Sequence, residues 1–486
     1  MDRRSAPVLV PVRSPTMRLC LRHRVKCLCL IIGFLCPAIT RAAEPQPWLQ
    51  YADVAEAGWS AEKLTAAREY SRKLGSGAVF VAYRGHVLGA WGAVERRFRC
   101  HSVRKSLVSA LYGIHVGEGA IDIQKTLRDL GIDDREPLTA EEKSARIVDL
   151  LSARSGVYHP AAKEPPDMTA NRPTRGSHAP GTLWWYNNWD FNTLGVIFEQ
   201  ETRKELIDEF RIRLAEPLGM DDFRPQDAYK QLEPGKSIHP AHDFRLSARD
   251  LARVGQLYLQ KGTWQGKQVI SESWIAESTR FISKTDAFMG YGYMWWIGET
   301  KPTDPKSRTP HLDRYPGFAA RGAGGHLLLV IPEAELVFVH RSDTDHDLEI
   351  GSRNIHKIID MILAAKEGNA VEHPHLVPVE PVRFPNARTA PPEHVAVQVD
   401  PKHYAGLEGN FKLDPDWQLR VFIYENRLFA DAKGRGEAEL FPLSPTSFFL
   451  RADDATIQFV LDDAGIAQAI DIVHQGETSR VPRIGS

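Results

Sequence analysis

Cysteine is scarce outside the first 43 residues. Of five in a chain of 486, four (Cys20, Cys27, Cys29 and Cys36) lie in that segment, which leaves Cys100 alone. One thiol builds neither a disulfide framework nor a cysteine-ligated metal site. The histidines do not fill the gap. His239, His242, His311, His326 and His340 are scattered, with no i, i+4 pair beside a carboxylate, so no metal is expected. No Gly-x-Ser-x-Gly occurs, which removes the α/β-hydrolase nucleophile elbow. Basic charge is also lacking beyond the N-terminus. Residues 1–43 carry eight basic side chains against Asp2; without them 53 basic residues face 61 acidic ones, a net of −8. A chain of that sign has no electrostatic footprint for nucleic acid.

Long apolar runs are missing too. The run 27–39 has 13 residues, short of the roughly 20 that a membrane-spanning helix needs. It follows a basic stretch that ends at Lys26 and precedes Thr40-Arg41-Ala42, with small residues where a signal peptidase inspects them. Residues 1–43 therefore read as a secretory signal, and the protein is expected to be exported, periplasmic or secreted, with no stable membrane span once the signal is gone.

What is present describes a globular chain long enough for two or three domains, 43% hydrophobic and 25% charged. Ser60 is a candidate N-cap for a helix over 61–73. Two β-rich runs, 77–83 and 86–91, are joined by Arg84-Gly85, the short polar-Gly link of a hairpin. From 102 to 117, Leu107, Leu111 and Ile114 recur at i, i+4, i+7 with little charge after Lys105, a helix buried on most sides. Helices are expected over 147–153, 189–200, 248–260 and 350–366. A second hairpin is expected over 326–331 and 335–340, turning at Pro332-Glu333-Ala334. Six prolines between 367 and 401 mark an extended linker, and short alternating runs from Tyr404 onward suggest an all-β module.

Three segments carry chemistry. In Ser102-Val103-Arg104-Lys105, i and i+3 share a helix face, so the amine sits one turn from a hydroxyl at the helix N-terminus, where backbone dipoles favour negative charge. Burial lowers a lysine pKa and makes it a proton acceptor near neutrality. The same pattern recurs in Ser60-Ala61-Glu62-Lys63, which reads as an N-cap and a solvated lysine. In Tyr186-Asn187-Asn188, a Tyr and an Asn two apart in an extended segment face one side. The phenol can shuttle a proton and the amide can hold a substrate carbonyl. Tyr424-Glu425-Asn426, in a hairpin of the β module, has the same spacing without that context. In Arg321-Gly322-Ala323-Gly324-Gly325-His326 the glycines let a backbone approach closely, and Ala323 can offer an N–H to an oxyanion. The segment reads as a Gly-rich loop leading into a strand. No Gly-Lys-Ser/Thr follows, so it is not a phosphate loop.

In chain order, Ser-x-x-Lys, then Tyr-x-Asn about 80 residues on, then a Gly-rich segment before a strand resembles the serine hydrolases related to class C β-lactamases, penicillin-binding proteins and the bacterial esterases and amidases of that scaffold. Residues 147–156, 246–253 and 291–296 are similar to segments of the same group, and the resemblance covers roughly residues 50–365. It implies an α/β (α+β) β-lactamase-like transpeptidase fold: an antiparallel sheet flanked by helices, a helical subdomain and a small C-terminal all-β module. The expected domains are a signal over 1–43, a hydrolase over 44–366, a Pro-rich linker over 367–401 and a barrel-like module over 402–486.

It also implies Ser102 as nucleophile, Lys105 as base, Tyr186 as proton relay to the leaving group, and Asn188 as the group that orients substrate and Lys105. The N–H groups of Ser102 and Ala323 would form an oxyanion hole, and Arg321, Gly322 and Gly324 would line the substrate site. The implied substrate is a small ester or amide, with no metal or cofactor; the oligomeric state is left open. The chain departs from relatives that carry Lys-Thr/Ser-Gly where it has Arg321-Gly322-Ala323-Gly324. A binding or sensor protein that keeps the fold without catalysis is the alternative.

Overall fold

The computed structural model describes residues 47–485 apart from 287, 288, 303, 305, 386, 414–416, 434, 435, 452–454 and 475, and the expected signal segment lies outside the described residues. Ten strands form the main sheet: β1 (Leu49–Tyr51), β2 (Ala78–Tyr83), β3 (His86–Gly92), β4 (Ser283–Lys284), β5 (Met289–Tyr291), β6 (Trp296–Gly298), β7 (Gly317–Gly322), β8 (His326–Ile331), β9 (Leu336–Arg341) and β10 (Leu376–Pro378). Their order is β10-β1-β3-β2-β9-β8-β7-β6-β5-β4. All neighbours are antiparallel except β1 and β3, which touch in parallel at Gln50 and Val87.

Both faces of this sheet are covered, and the sequence of β2 shows why. Ala-Val-Phe-Val-Ala-Tyr has no polar position, and all six residues are buried. With a period of two, Phe80 and Ala82 enter one core while Val79, Val81 and Tyr83 enter the other. The first face carries α2 (Val103–Gly117) and α5 (Ala248–Leu259); the second carries α1 (Ala61–Lys73) and α6 (Ser352–Leu363). Ile355, Ile358, Ile359 and Ile362 make the stripe by which α6 buries itself. Between β3 and β4 come α2, α3 (Ile147–Leu151), α4 (Asn188–Thr202) and α5, the helical part expected from the sequence.

The Pro-rich stretch is fastened along its first half. β10 pairs with β1, the Gly92 amide donates to the Val382 carbonyl, and Phe384 is buried. An outer edge tolerates prolines because their missing N–H would face away from the ladder. Beyond it, nine antiparallel strands between residues 409 and 484 form a second sheet. Gly409–Lys412 pairs with Glu477–Ile484, and the two free edges, Gly436–Glu439 and Phe441–Pro442, are consecutive in the chain, so the sheet is a nearly closed barrel. Phe411, Phe448, Phe459, Ile470 and Val481 fill it.

Candidate active site

The chain enters α2 through Phe98–Arg99, a short strand paired with Ala241–Leu246. His101 then takes a left-handed φ of 46°, a conformation that costs an L-residue about 1–2 kcal/mol and must be held by its surroundings. The grip is visible. His101 Nε2 lies 2.9 Å from Thr344 Oγ1, and its ring stacks 5.0 Å from that of His326, whose Nε2 is 3.1 Å from the same hydroxyl. One hydroxyl donates once, so one imidazole accepts its proton and the other donates to its oxygen. Burial pushes the His101 pKa down to about 3 and that of His326 well below the usual range, which keeps both rings neutral.

Ser102 stands at the start of α2 and makes no side-chain cap hydrogen bond, so its hydroxyl is left for another partner. That partner is Lys105, whose Nζ lies 2.8 Å from Ser102 Oγ. Lys105 is buried, with its amine 4.6 Å from the centre of the Tyr186 ring and 4.9 Å from that of Phe191. Burial drives its pKa far below the ordinary lysine value; the Arg104 and Lys163 charges push the same way, while the Asp243 carboxylate opposes them. An amine in that state has a lone pair to offer the serine proton. Ser60 and Lys63, the other pair with this spacing, do only local work. Ser60 caps α1 by accepting from the Lys63 amide, and the Lys63 amine pairs with Glu367 at the surface.

Tyr186 is brought to the same place. Burial pushes its phenol up to about 12, and a hydrogen bond with Ser102 pulls the other way. Tyr291 (6.0 Å between ring centres), Trp296 (5.5 Å) and Phe191 (5.0 Å) surround the ring. Asn188 behaves differently from the extended-segment reading. Asn187 is the N-cap, accepting from the Trp189 amide, so Asn188 is already the first residue of α4. Its amide nitrogen donates to the Lys163 carbonyl, and Asn192, one turn on, donates to that of Ala162. Asn188 thus holds the 162–163 segment, and its buried Oδ1 has no hydrogen-bond partner among the described residues.

The Gly-rich segment also differs from its reading as a loop leading into one strand. Gly317–Gly322 is itself a strand, and Ala323–Gly325 is the tight turn of the β7–β8 hairpin, with Gly324 at φ 74° and Gly325 at φ 97°. The expected close approach is real. A Cβ on Gly322 would stand 2.7 Å from the Cys100 carbonyl oxygen, so β7 runs against the turn that presents Ser102, one residue before Ala323. The side chain of Arg321 lies over the Trp296 ring at 5.3 Å, and Ala320 is buried in the core with α2. Residues 61–360 match the family model described as Beta-lactamase. The chain belongs to the beta-lactamase family.

Among its relatives is penicillin-binding protein 4* of Bacillus subtilis, 22% identical over 326 residues; the match spans 61% of this chain and 66% of that protein, short of two thirds of its length. Solved structures similar to this beta-lactamase family member include the octameric penicillin-binding protein homologue from Pyrococcus abyssi (14% identical, 86% of this chain and 99% of that one, TM-score 0.44) and a family VIII carboxylesterase (17% identical, 64% and 98%, TM-score 0.45). No helix among the described residues is long and apolar enough to cross a membrane.

Two of the other segments that resembled the family converge on α2. The Met294 amide donates to the Leu151 carbonyl, and Ser106 Oγ donates to the Met294 carbonyl, so 147–156 and 291–296 brace the helix that begins at Ser102. Sequence reasoning missed the charged surroundings of this family site. Lys163, itself left-handed at φ 58°, ion-pairs with buried Asp243, which meets Arg104 Nε at 3.5 Å. It also missed His101, His326 and Thr344. No local pattern marks either group; only the left-handed turn before Ser102 would have pointed to a held residue there.

Proposed function

We propose that this member of the family is an exported serine hydrolase that cleaves small esters or amides through an acyl-enzyme on Ser102. The observation that carries this is the buried Lys105 amine at 2.8 Å from Ser102 Oγ, where burial favours its neutral form. In this reading Lys105 takes the hydroxyl proton as Ser102 Oγ attacks the substrate carbonyl. The N–H groups of Ser102 and Ala323 stabilise the oxyanion; Gly322 lets Ala323 come that near. Tyr186, protonated because burial raises its pKa, returns a proton to the leaving oxygen or nitrogen as its bond to carbon breaks. Water then attacks the acyl group and releases Ser102. Asn188 acts through the Lys163 segment it holds. Trp296 packs on Tyr186 and Trp184 on Trp296, and these half-buried rings offer an apolar wall for the acyl group, whereas Trp189, Trp295 and Tyr291 are core. Residues 1–43 serve export, and residues 44–366 carry the chemistry.

The test is intact mass after incubation with a fluorophosphonate, with the adduct located by peptide mapping. One adduct at Ser102, lost in Ser102→Ala together with turnover, is the expected result. Labelling at Ser60 overturns the site assignment, and no labelling at all leaves a binding protein on this fold.

A further inference from the structure

Where the barrel meets the rest of the molecule, the described residues enclose a cavity of about 480 Å³ that none of Ser102, Lys105, Tyr186 or Asn188 lines. Six arginines line it against four carboxylates, so its walls are net positive. Four of the arginines are matched. Arg96 pairs with Asp343 and Asp345, Arg245 with Asp345, Arg97 with Asp227, and Arg383 with Glu95. The other two have no carboxylate partner among the described residues. Arg388 makes only a 3.4 Å contact from Nη1 to the His346 carbonyl oxygen. Arg451 makes no hydrogen bond or ion pair among the described residues; its guanidinium lies over the Phe441 ring at 4.4 Å and beside that of Tyr229 at 5.9 Å.

That second arrangement is informative. Rings that hold the flat face of a guanidinium leave its N–H edge as the only place for hydrogen bonds, and they order it in advance. Half-buried at a junction, an unpaired cation is costly unless something negative comes to it. Burial pushes the Arg451 pKa down, although Glu439 and Tyr229 draw it up. The phenol of Tyr229, kept protonated by burial, adds a neutral donor to the same wall. Pro391, Pro392 and Phe449 add apolar surface to the lining, and the volume falls in the range of small-molecule sites.

We propose that this cavity is a second ligand site, which takes a small organic anion through a carboxylate or phosphate group held by Arg451 and Arg388. It stands independently of the role assigned to Ser102. The site gives the barrel a function: Arg451 comes from the barrel and Arg388 from the Pro-rich stretch, so a bound anion ties both to the body that carries Tyr229.

The experiment titrates inorganic phosphate and, separately, citrate into the mature chain at constant ionic strength with chloride as the control, read by calorimetry and by thermal unfolding. Saturable binding of at least one, with unfolding moved to higher temperature, is expected. It should weaken about tenfold or more in Arg388→Gln and in Arg451→Gln, the worth of one charge-assisted contact. Ser102→Ala should bind as the wild type does, which separates this site from the cleft. Arg388 is at the surface, so that variant keeps the test valid if Arg451→Gln does not fold. Binding no better than chloride for both probes overturns the proposal, as does binding that Arg388→Gln leaves unchanged. Preference for phosphate or for citrate tells the two anion chemistries apart.

Discussion

Replacing Gly322 by alanine perturbs the site where β7 runs against the turn that precedes Ser102. The new Cβ would stand 2.7 Å from the Cys100 carbonyl oxygen, 3.2 Å from the His326 Cβ and 3.3 Å from the His101 Cβ. Gly322 has φ −129°, which any residue adopts, so the penalty is crowding and not torsion. Ordinary contact begins near 3.4 Å, so strand and turn must part by about 0.7 Å, an overpacking worth about 1–3 kcal/mol. The same displacement carries Ala323 away from Ser102. A hydrogen bond of about 2.9 Å to the oxyanion would lengthen to about 3.6 Å, outside hydrogen-bonding range. Loss of one such donor costs about a hundred- to a thousandfold in kcat. Gly322→Ala should therefore fold, unfold a few degrees early and lose about a hundredfold in turnover of a nitrophenyl ester. Gly117→Ala, at the far end of the same helix, is the control. Nothing lies within 3.7 Å of its added Cβ, so it should leave the rate alone and add at most about 0.5–1 kcal/mol of stability. A Gly322→Ala enzyme that labels with fluorophosphonate at the wild-type rate would refute both the contact and the role given to β7.

Lys105→Met should lose turnover by about a hundred- to ten-thousandfold yet unfold at a higher temperature than the wild type near neutral pH. The folded amine sheds a proton that the unfolded chain keeps, so its contribution to stability worsens as pH falls and improves toward the unfolded value near 10.4. The gap in Tm between variant and wild type should accordingly narrow as pH rises, and a gap that widens would contradict the lowered pKa of the buried amine. Tyr186→Phe should cost more on an anilide than on a nitrophenyl ester, because a good leaving group hardly needs the proton; equal losses on both would argue against the relay. A short-chain nitrophenyl ester should give a higher kcat/KM than a chromogenic cephalosporin. The strand residue beside Gly322 is Arg321, engaged with Trp296, and a missing carboxylate clamp of about 1.5–3 kcal/mol is worth roughly ten- to a hundredfold. If the cephalosporin wins, Arg321 leaves Trp296 for the substrate.

The Ser102–Lys105 pair was legible in the sequence because i and i+3 on one helix is a local relation: once α2 forms, the amine lands one turn from the hydroxyl whatever surrounds it. Burial of α2 was legible for a similar reason, since its apolar positions leave no face for water; all thirteen residues from Val103 to His115 are buried. The β8–β9 hairpin announced itself through a proline-containing turn between two apolar runs. β7 did not. Gly-Phe-Ala-Ala-Arg-Gly contains no β-branched residue, and it is a strand because β6 and β8 supply hydrogen-bonding partners on both sides. The placing of Asn188 beside Tyr186 assumed an extended chain, and the cap at Asn187 makes Asn188 the first residue of a helix instead. The lowered pKa of Lys105, the ion pair of Lys163 with Asp243 and the contact of His101 with Thr344 lie beyond local reading. The last two join residues 80 and 243 positions apart. Spacing along the chain decides which side chains share an element. Burial and the charges nearby decide what state those side chains are in, and both come from segments far away in sequence that only the folded chain brings together.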